Sequence, residues 1–199
     1  MTPYFTDDRI TIYHGNAWEV LPTIGPVDAV ITDPPYGCKR PSQRTAHWAG
    51  KIEDIQGNNS VDVSWMDCVE VTDGGAVYVF TSWEVIEQWK AAMKARWNLR
   101  SCIVWDKGQP GMADLKTCWA PRHELCLFAG VGRHELKGKR PEDVLCVPRI
   151  PQTQRLGHPY EKPVGLMRRL IAASEPELIV DPFMGSGSTL LAAKLDGKR

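Results

Sequence analysis

With 199 residues, 43% of them hydrophobic and 24% charged, the chain is long enough for one domain with a substantial core and too short to assume two. No apolar run approaches the ~18 residues of a membrane span, and Asp7 and Asp8 interrupt any secretory leader, so the expected compartment is the cytoplasm and no membrane partner is expected. Lys plus Arg equals Asp plus Glu, 24 against 24; a surface that grips phosphates would have to be gathered on one face.

Residues 9–13 read as a strand, and so do 28–32, which stop at a Pro-Pro pair. Residues 61–71 have helical spacing, with Val61, Trp65, Cys68 and Val69 on one face. Gly74-Gly75 then turns the chain into a strand over 76–80. Ser82 is expected to cap a helix of about fifteen residues, with Val85, Ile86, Trp89 and Met93 on one side. Residues 99–105, 124–128 and 144–147 read as strands and 163–173 as an amphipathic helix. Residues 178–180 read as a buried strand and 188–195 as a final helix. This alternation predicts an α/β fold, a doubly wound, mostly parallel sheet with helices on both faces. Ligands in such sheets bind beyond the carboxyl ends of the strands. The connections 37–59 and 107–122 exceed the usual length and read as binding loops inserted in a single domain. The six cysteines form no C-x-x-C pair and no zinc-spaced cluster, so structural thiols and no metal site are expected.

Three motifs carry chemistry. Asp33-Pro34-Pro35-Tyr36 closes the strand 28–32. A proline turn is a common strand ending, but this one fits a specific task. An exocyclic base amine is a poor nucleophile because its lone pair is delocalised into the ring. A fixed carboxylate from Asp33 and a fixed carbonyl from Pro34, each accepting one amine hydrogen, would free that lone pair. Two prolines lock φ and offer no N–H, and Pro35 holds Pro34 extended. Tyr36 can stack on a base extruded from the duplex.

The second motif, 181–189, reads DPFMGSGST between a buried strand and a helix. Glycine permits close backbone approach, and the helix start offers N–H groups and partial positive charge to an anion. The Gly-Lys-Ser/Thr ending of a P-loop is absent, which argues against a triphosphate. The methionine carboxylate of S-adenosylmethionine suits the site, with Phe183 packing on its adenine. The third motif, HPYEKP at 158–163, precedes a helix; Lys162 is expected to add a contact to the cofactor's carboxylate.

Together with GGAVYVF, IVWDKGQPGM and HELCLF, these motifs resemble the β-class amino-methyltransferases of DNA, known from bacterial and phage modification enzymes. The resemblance covers nearly the whole chain, and the order of catalytic turn before glycine loop is that class's circular permutation. It implies a Rossmann-like methyltransferase sheet with S-adenosylmethionine as cofactor. Asp33, Pro34, Pro35 and Tyr36 are then the catalytic residues. Asp181, Phe183, Gly185, Ser186, Gly187, Ser188 and Thr189 form the cofactor loop, closed over by His158, Lys162 and Pro163. Asn16 stands where the family has an Asp that contacts the cofactor adenine. Past 197–199 the family continues into a strand with an acidic ribose ligand, so the resemblance implies a sheet lacking its C-terminal strands. An Asp at the head of the catalytic turn goes with adenine N6 in the family. Cytosine N4, an RNA substrate, or a catalytically impaired DNA-binding module remain alternatives.

The expected partner is double-stranded DNA with a flipped-out base; a homodimer is one arrangement this reading admits. Residues 37–51 hold Lys39, Arg40, Arg44 and Lys51 and no acid, directly after the catalytic turn, so phosphate contacts are expected there. Gln152 and Arg155, beside the third motif, are of the types that read adenine and guanine edges.

Overall fold

The computed structural model describes residues 1–35, 61–111, 116–151, 153 and 161–199. In chain order the elements are β1 (Phe5–Thr6), β2 (Thr11–Ile12), α1 (Ala17–Ile24), β3 (Val27–Thr32), β4 (Val71–Thr81), α2 (Ile86–Arg96), β5 (Asn98–Asp106), β6 (His123–Gly130), β7 (Val144–Cys146), α3 (Val164–Ser174), β8 (Ile179–Val180) and α4 (Ser188–Leu195). Six strands make one sheet in the order β7-β5-β6-β4-β3-β8, while β1 and β2 pair only with each other. β3 runs parallel to both β4 and β8, and β5 parallel to β7. β6 is antiparallel to its neighbours β4 and β5. The main chain of Arg199 lies along the other side of β8, donating to Glu177 O at 2.9 Å and accepting from Ile179 N at 2.7 Å.

The central strands are apolar without alternation because both of their faces are covered. Residues 75–81 of β4 are buried throughout, as is most of β3. On one face Ile31, Tyr78, Phe80 and Phe128 pack against Leu166, Met167, Leu170 and Ile171 of α3 and Ala192 and Ala193 of α4. On the other, Val30, Val77, Val79 and Leu127 meet Leu21 of α1, Trp65, and Trp89 and Met93 of α2. Three layers result, as the strand–helix alternation predicts. No helix among the described residues is long and apolar enough to cross a membrane.

Two local expectations are corrected and one element is new. The helix expected over 61–71 is a five-residue 3-10 turn, Ser64–Cys68, followed by the start of β4. Asp62 accepts from the Ser64 amide at 3.0 Å and its hydroxyl at 2.7 Å. That local bond sets a tight turn, and the apolar spacing serves to bury Trp65 and Met66. Secondly, α1 was not visible in the sequence, being eight residues long with Pro22 inside it. Thirdly, Ser82 does not cap α2. A turn intervenes, the N-cap is Val85, and the Ser82 hydroxyl is buried without a hydrogen bond among the described residues.

Candidate active site

Because β3 and β8 are parallel neighbours in register at Ala29↔Ile179 and Val30↔Val180, the residues that follow them emerge side by side. Asp33 leaves β3, and Asp181 leaves β8, on the same edge of the sheet. Thr32 Oγ1 donates to Asp181 Oδ1 at 2.7 Å, and the Phe183 amide donates to the same oxygen at 3.1 Å. The Thr189 side chain also favours the ionised form of Asp181. One carboxylate thus fastens the end of β3 to the start of the glycine loop. Burial pushes its pKa up to about 6, against the hydrogen bonds that lower it.

The glycine loop bends where the sequence allows. Gly185 and Gly187 have φ of 51° and 80°, a left-handed conformation that favours glycine. Gly187 is the N-cap of α4, with no side-chain cap bond, so the helix opens with backbone N–H groups and its positive dipole end. Ser186 and Ser188 hydroxyls lie 3.1 Å apart, and Ser188 and Thr189 are buried. Phe183 stands edge-on to Trp18 at 6.1 Å and to Trp65 at 5.9 Å, giving the loop an aromatic flank. Asn16, exposed, caps α1 by accepting from the Trp18 amide at 3.1 Å.

Beside Asp33 the edge carries a row of alternating charges. Lys162, immediately before Pro163 and α3, forms an ion pair with Asp33 Oδ2 and lies 3.3 Å from Glu124 Oε2. Glu124, at the start of β6, pairs through Oε1 with Lys107 at 2.6 Å. The Lys162 ammonium sits 5.1 Å over the Phe80 ring, and its side chain is 8% exposed. Burial lowers the Lys162 pKa, but Asp33 and Glu124 outweigh it and hold the ammonium above its ordinary value. Burial raises Glu124, and Lys162 and Lys107 outweigh that, leaving the carboxyl below its ordinary value. Past Lys107, Arg122 binds both oxygens of Asp106 at 2.7 Å, and Lys107 N donates to Arg122 O at 3.0 Å, closing the base of the β5–β6 connection.

A family model described as DNA methylase, of the N6/N4 type, matches residues 27–199. The chain belongs to that family. Among curated relatives, the methylase is 32% identical over 180 residues to the putative methylase YubD of Escherichia coli K12, covering 87% of this chain and 74% of that protein. It is 26% identical over 243 residues to the type II methyltransferase M.ScaI of Streptomyces caespitosus, covering 98% and 77%. Among solved structures, the fold resembles M1.HpyAVI in complex with SAM, with TM-score 0.69, 24% identity and coverage of 94% and 89%. A putative DNA modification methylase from Thermus thermophilus, complexed with S-adenosyl-L-methionine, gives TM-score 0.58, 20% identity and coverage of 93% and 84%.

Of the residues singled out in the sequence, the fold of the methylase brings together Asp33, Pro34, Lys162, Pro163, Asp181 and the loop through Thr189. Tyr36, Lys39, Arg40, Arg44, Lys51, Gln152, Arg155 and His158 lie outside the described residues. Sequence reasoning missed Thr32, Glu124 and Lys107. The only signal for the last two was the pair of short strings WDK and HEL, to which no role was attached. It also missed Trp83 and Trp119, 71% and 98% exposed. Trp83 follows β4, and Trp119 lies in the β5–β6 connection, which leaves and returns on the same edge as Asp33. Among the described residues no group of three or more His, Cys, Asp or Glu could hold a metal ion.

Proposed function

We propose that the chain transfers the methyl group of S-adenosylmethionine to the N6 amino nitrogen of adenine in double-stranded DNA. The observation that carries this is the Thr32–Asp181 bond of 2.7 Å, since it joins the residue before the proline corner to the first residue of the glycine loop. A carboxylate suited to a base amine and a loop suited to an anionic, aromatic cofactor thereby share one rim.

The residues of the loop fit the cofactor. The uncapped start of α4 offers N–H groups to its carboxylate, and Phe183 with its indole neighbours offers an apolar wall to its adenine. When bound, the cofactor supplies an electrophilic methyl carbon on a sulfonium. The protein does the rest by holding and orienting. The target base leaves the duplex and stacks on Tyr36. Asp33 and the Pro34 carbonyl each accept one hydrogen of its amine, which turns the lone pair toward the methyl carbon. As the nitrogen bonds that carbon, the carbon–sulfur bond would break with its electron pair going to sulfur, which leaves as a neutral thioether. One N–H proton passes to the Asp33 carboxylate and then to water. Positioning both reactants at attack geometry supplies much of the rate, and the developing positive charge on nitrogen meets a preorganised anion.

DNA would lie across the rim, its phosphates held by Lys39, Arg40, Arg44 and Lys51 and its base edges read by Gln152 and Arg155. The choice of adenine rests on the Asp at the head of the DPPY turn. The experiment is to methylate duplex DNA with the protein, digest it and identify the modified nucleoside. N6-methyladenine is the expected product; N4-methylcytosine alone would replace adenine with cytosine as the target.

A further inference from the structure

We propose that Glu124 is a positioning residue for Asp33, acting through the buried ammonium of Lys162 that lies between them. The inference rests on the reading of Asp33 as acceptor of the base amine, and goes beyond it by assigning the charges that hold this carboxylate in place.

Three separate segments supply the group: the end of β3, the start of β6 and the residue preceding Pro163. Lys162 is buried, and a buried ammonium is costly unless paired. A single carboxylate would satisfy that need, yet the ammonium contacts two, Asp33 and Glu124 at 3.3 Å. The second pairing changes the chemistry of the first. An ammonium given wholly to Asp33 would neutralise the carboxylate that must attract a nitrogen becoming positive. Glu124 draws on the same ammonium from the other side, while Lys107, 2.6 Å from Glu124, adds the next positive charge of the row. The row Asp33, Lys162, Glu124, Lys107 alternates in sign, so removing its members one by one should move the pH dependence of turnover in alternating directions.

Other titratable groups face this row. Asp181 approaches Asp33 from the end of β8, and Cys126 faces Asp33 and Lys162 from β6. Burial pushes the Cys126 thiol well up, so it stays neutral across the working range. Asp106 and Arg122 beyond Lys107 neutralise each other. Asp181 titrates in range but belongs to every variant below, so differences between variants report the row alone.

The test is kcat at saturating cofactor and DNA as a function of pH, for wild type, Glu124→Gln, Lys107→Met and Lys162→Met, with cofactor affinity by calorimetry. Glu124→Gln should lower kcat about tenfold or more, within the range of proton-handling groups. It should also move the low-pH limb to lower pH, with cofactor affinity within about threefold. Lys162→Met should move the limb to higher pH, and Lys107→Met in the same direction by less. Glu124→Asp, retaining the charge, should restore the limb. Should Glu124→Gln fail to fold, Lys107→Met against Lys162→Met still tests the order of shifts. Wild-type kcat and limb in Glu124→Gln, with Asp33→Ala inactive, would overturn the role of Glu124 alone. Normal turnover by Asp33→Ala would instead remove the reading on which it rests.

Discussion

Thr32 and Asp181, 149 residues apart in the chain, are joined by a 2.7 Å hydrogen bond from hydroxyl to carboxylate. Thr32 is the last residue of β3 and buried, and Asp181 opens the glycine loop. The bond therefore fixes the distance between the proline corner and the glycine bend.

Thr32→Val keeps the shape and removes the donor. The half-buried carboxylate loses one partner, and the protein should lose about 1–3 kcal/mol of stability. Denaturant unfolding measures it, with Thr32→Ser expected to recover most of the loss. Wild-type stability in the valine variant would show that the bond contributes nothing.

Asp181 also predicts a pH dependence. With its carboxyl pushed up to about 6 by burial, the native protein holds a proton that the unfolded chain releases near pH 4. Stability contributed by this group is full below that pH and is lost as pH rises toward 6. Asp181→Asn cannot titrate, so wild type minus variant should fall by roughly 2–3 kcal/mol across the window. Parallel unfolding curves at pH 4 and pH 6.5 would contradict the assignment.

Gly187 and Gly75 separate conformation from space. At Gly187 φ is 80° and a Cβ would meet nothing within 4 Å, so Gly187→Ala should cost only about 1–2 kcal/mol, through the left-handed backbone. At Gly75 a Cβ would lie 2.5 Å from Val71 Cγ1 and 2.8 Å from the Asp28 carbonyl oxygen, so Gly75→Ala should destabilise more. Cofactor affinity should fall in the first variant and hold in whatever fraction of the second folds. Calorimetry and thermal unfolding of the two variants check both expectations.

Trp119 is 98% exposed above a loop base pinned by Arg122 and Asp106. An indole held in water on the rim proposed for DNA suits stacking on a base. Trp119→Ala should weaken DNA binding by about 1–3 kcal/mol and leave unfolding unchanged. Equal DNA affinity in the variant would take the β5–β6 connection out of the interface.

Much of this was legible along the chain because local pattern and tertiary role agree. The apolar stretch Ala29-Val30-Ile31 ahead of the Pro-Pro pair identifies a central strand, and α4 follows its glycine bend over the expected residues. Where a pattern had two uses, it misled. The spacing of Val61, Trp65 and Cys68 imitates a helix, while an Asp62–Ser64 bond makes a single tight turn that buries Trp65. Ser82 looks like a cap because Ser commonly is one, but the following turn delays α2. The least legible part is electrostatic. Glu124 and Lys162 lie 38 residues apart in the sequence, and nothing local to either says that one ammonium will lie between two carboxylates. Nor does the sequence show that the Lys162 ammonium lies against Asp33 and Glu124.

The most direct measurement is single-turnover methylation of duplex DNA by wild type and Asp33→Ala, with the product nucleoside identified and cofactor binding measured in parallel. N6-methyladenine from wild type, none from the variant, and near-equal cofactor affinity in both are the predicted results. Undiminished methylation by Asp33→Ala would contradict the claim that this carboxylate accepts the base amine.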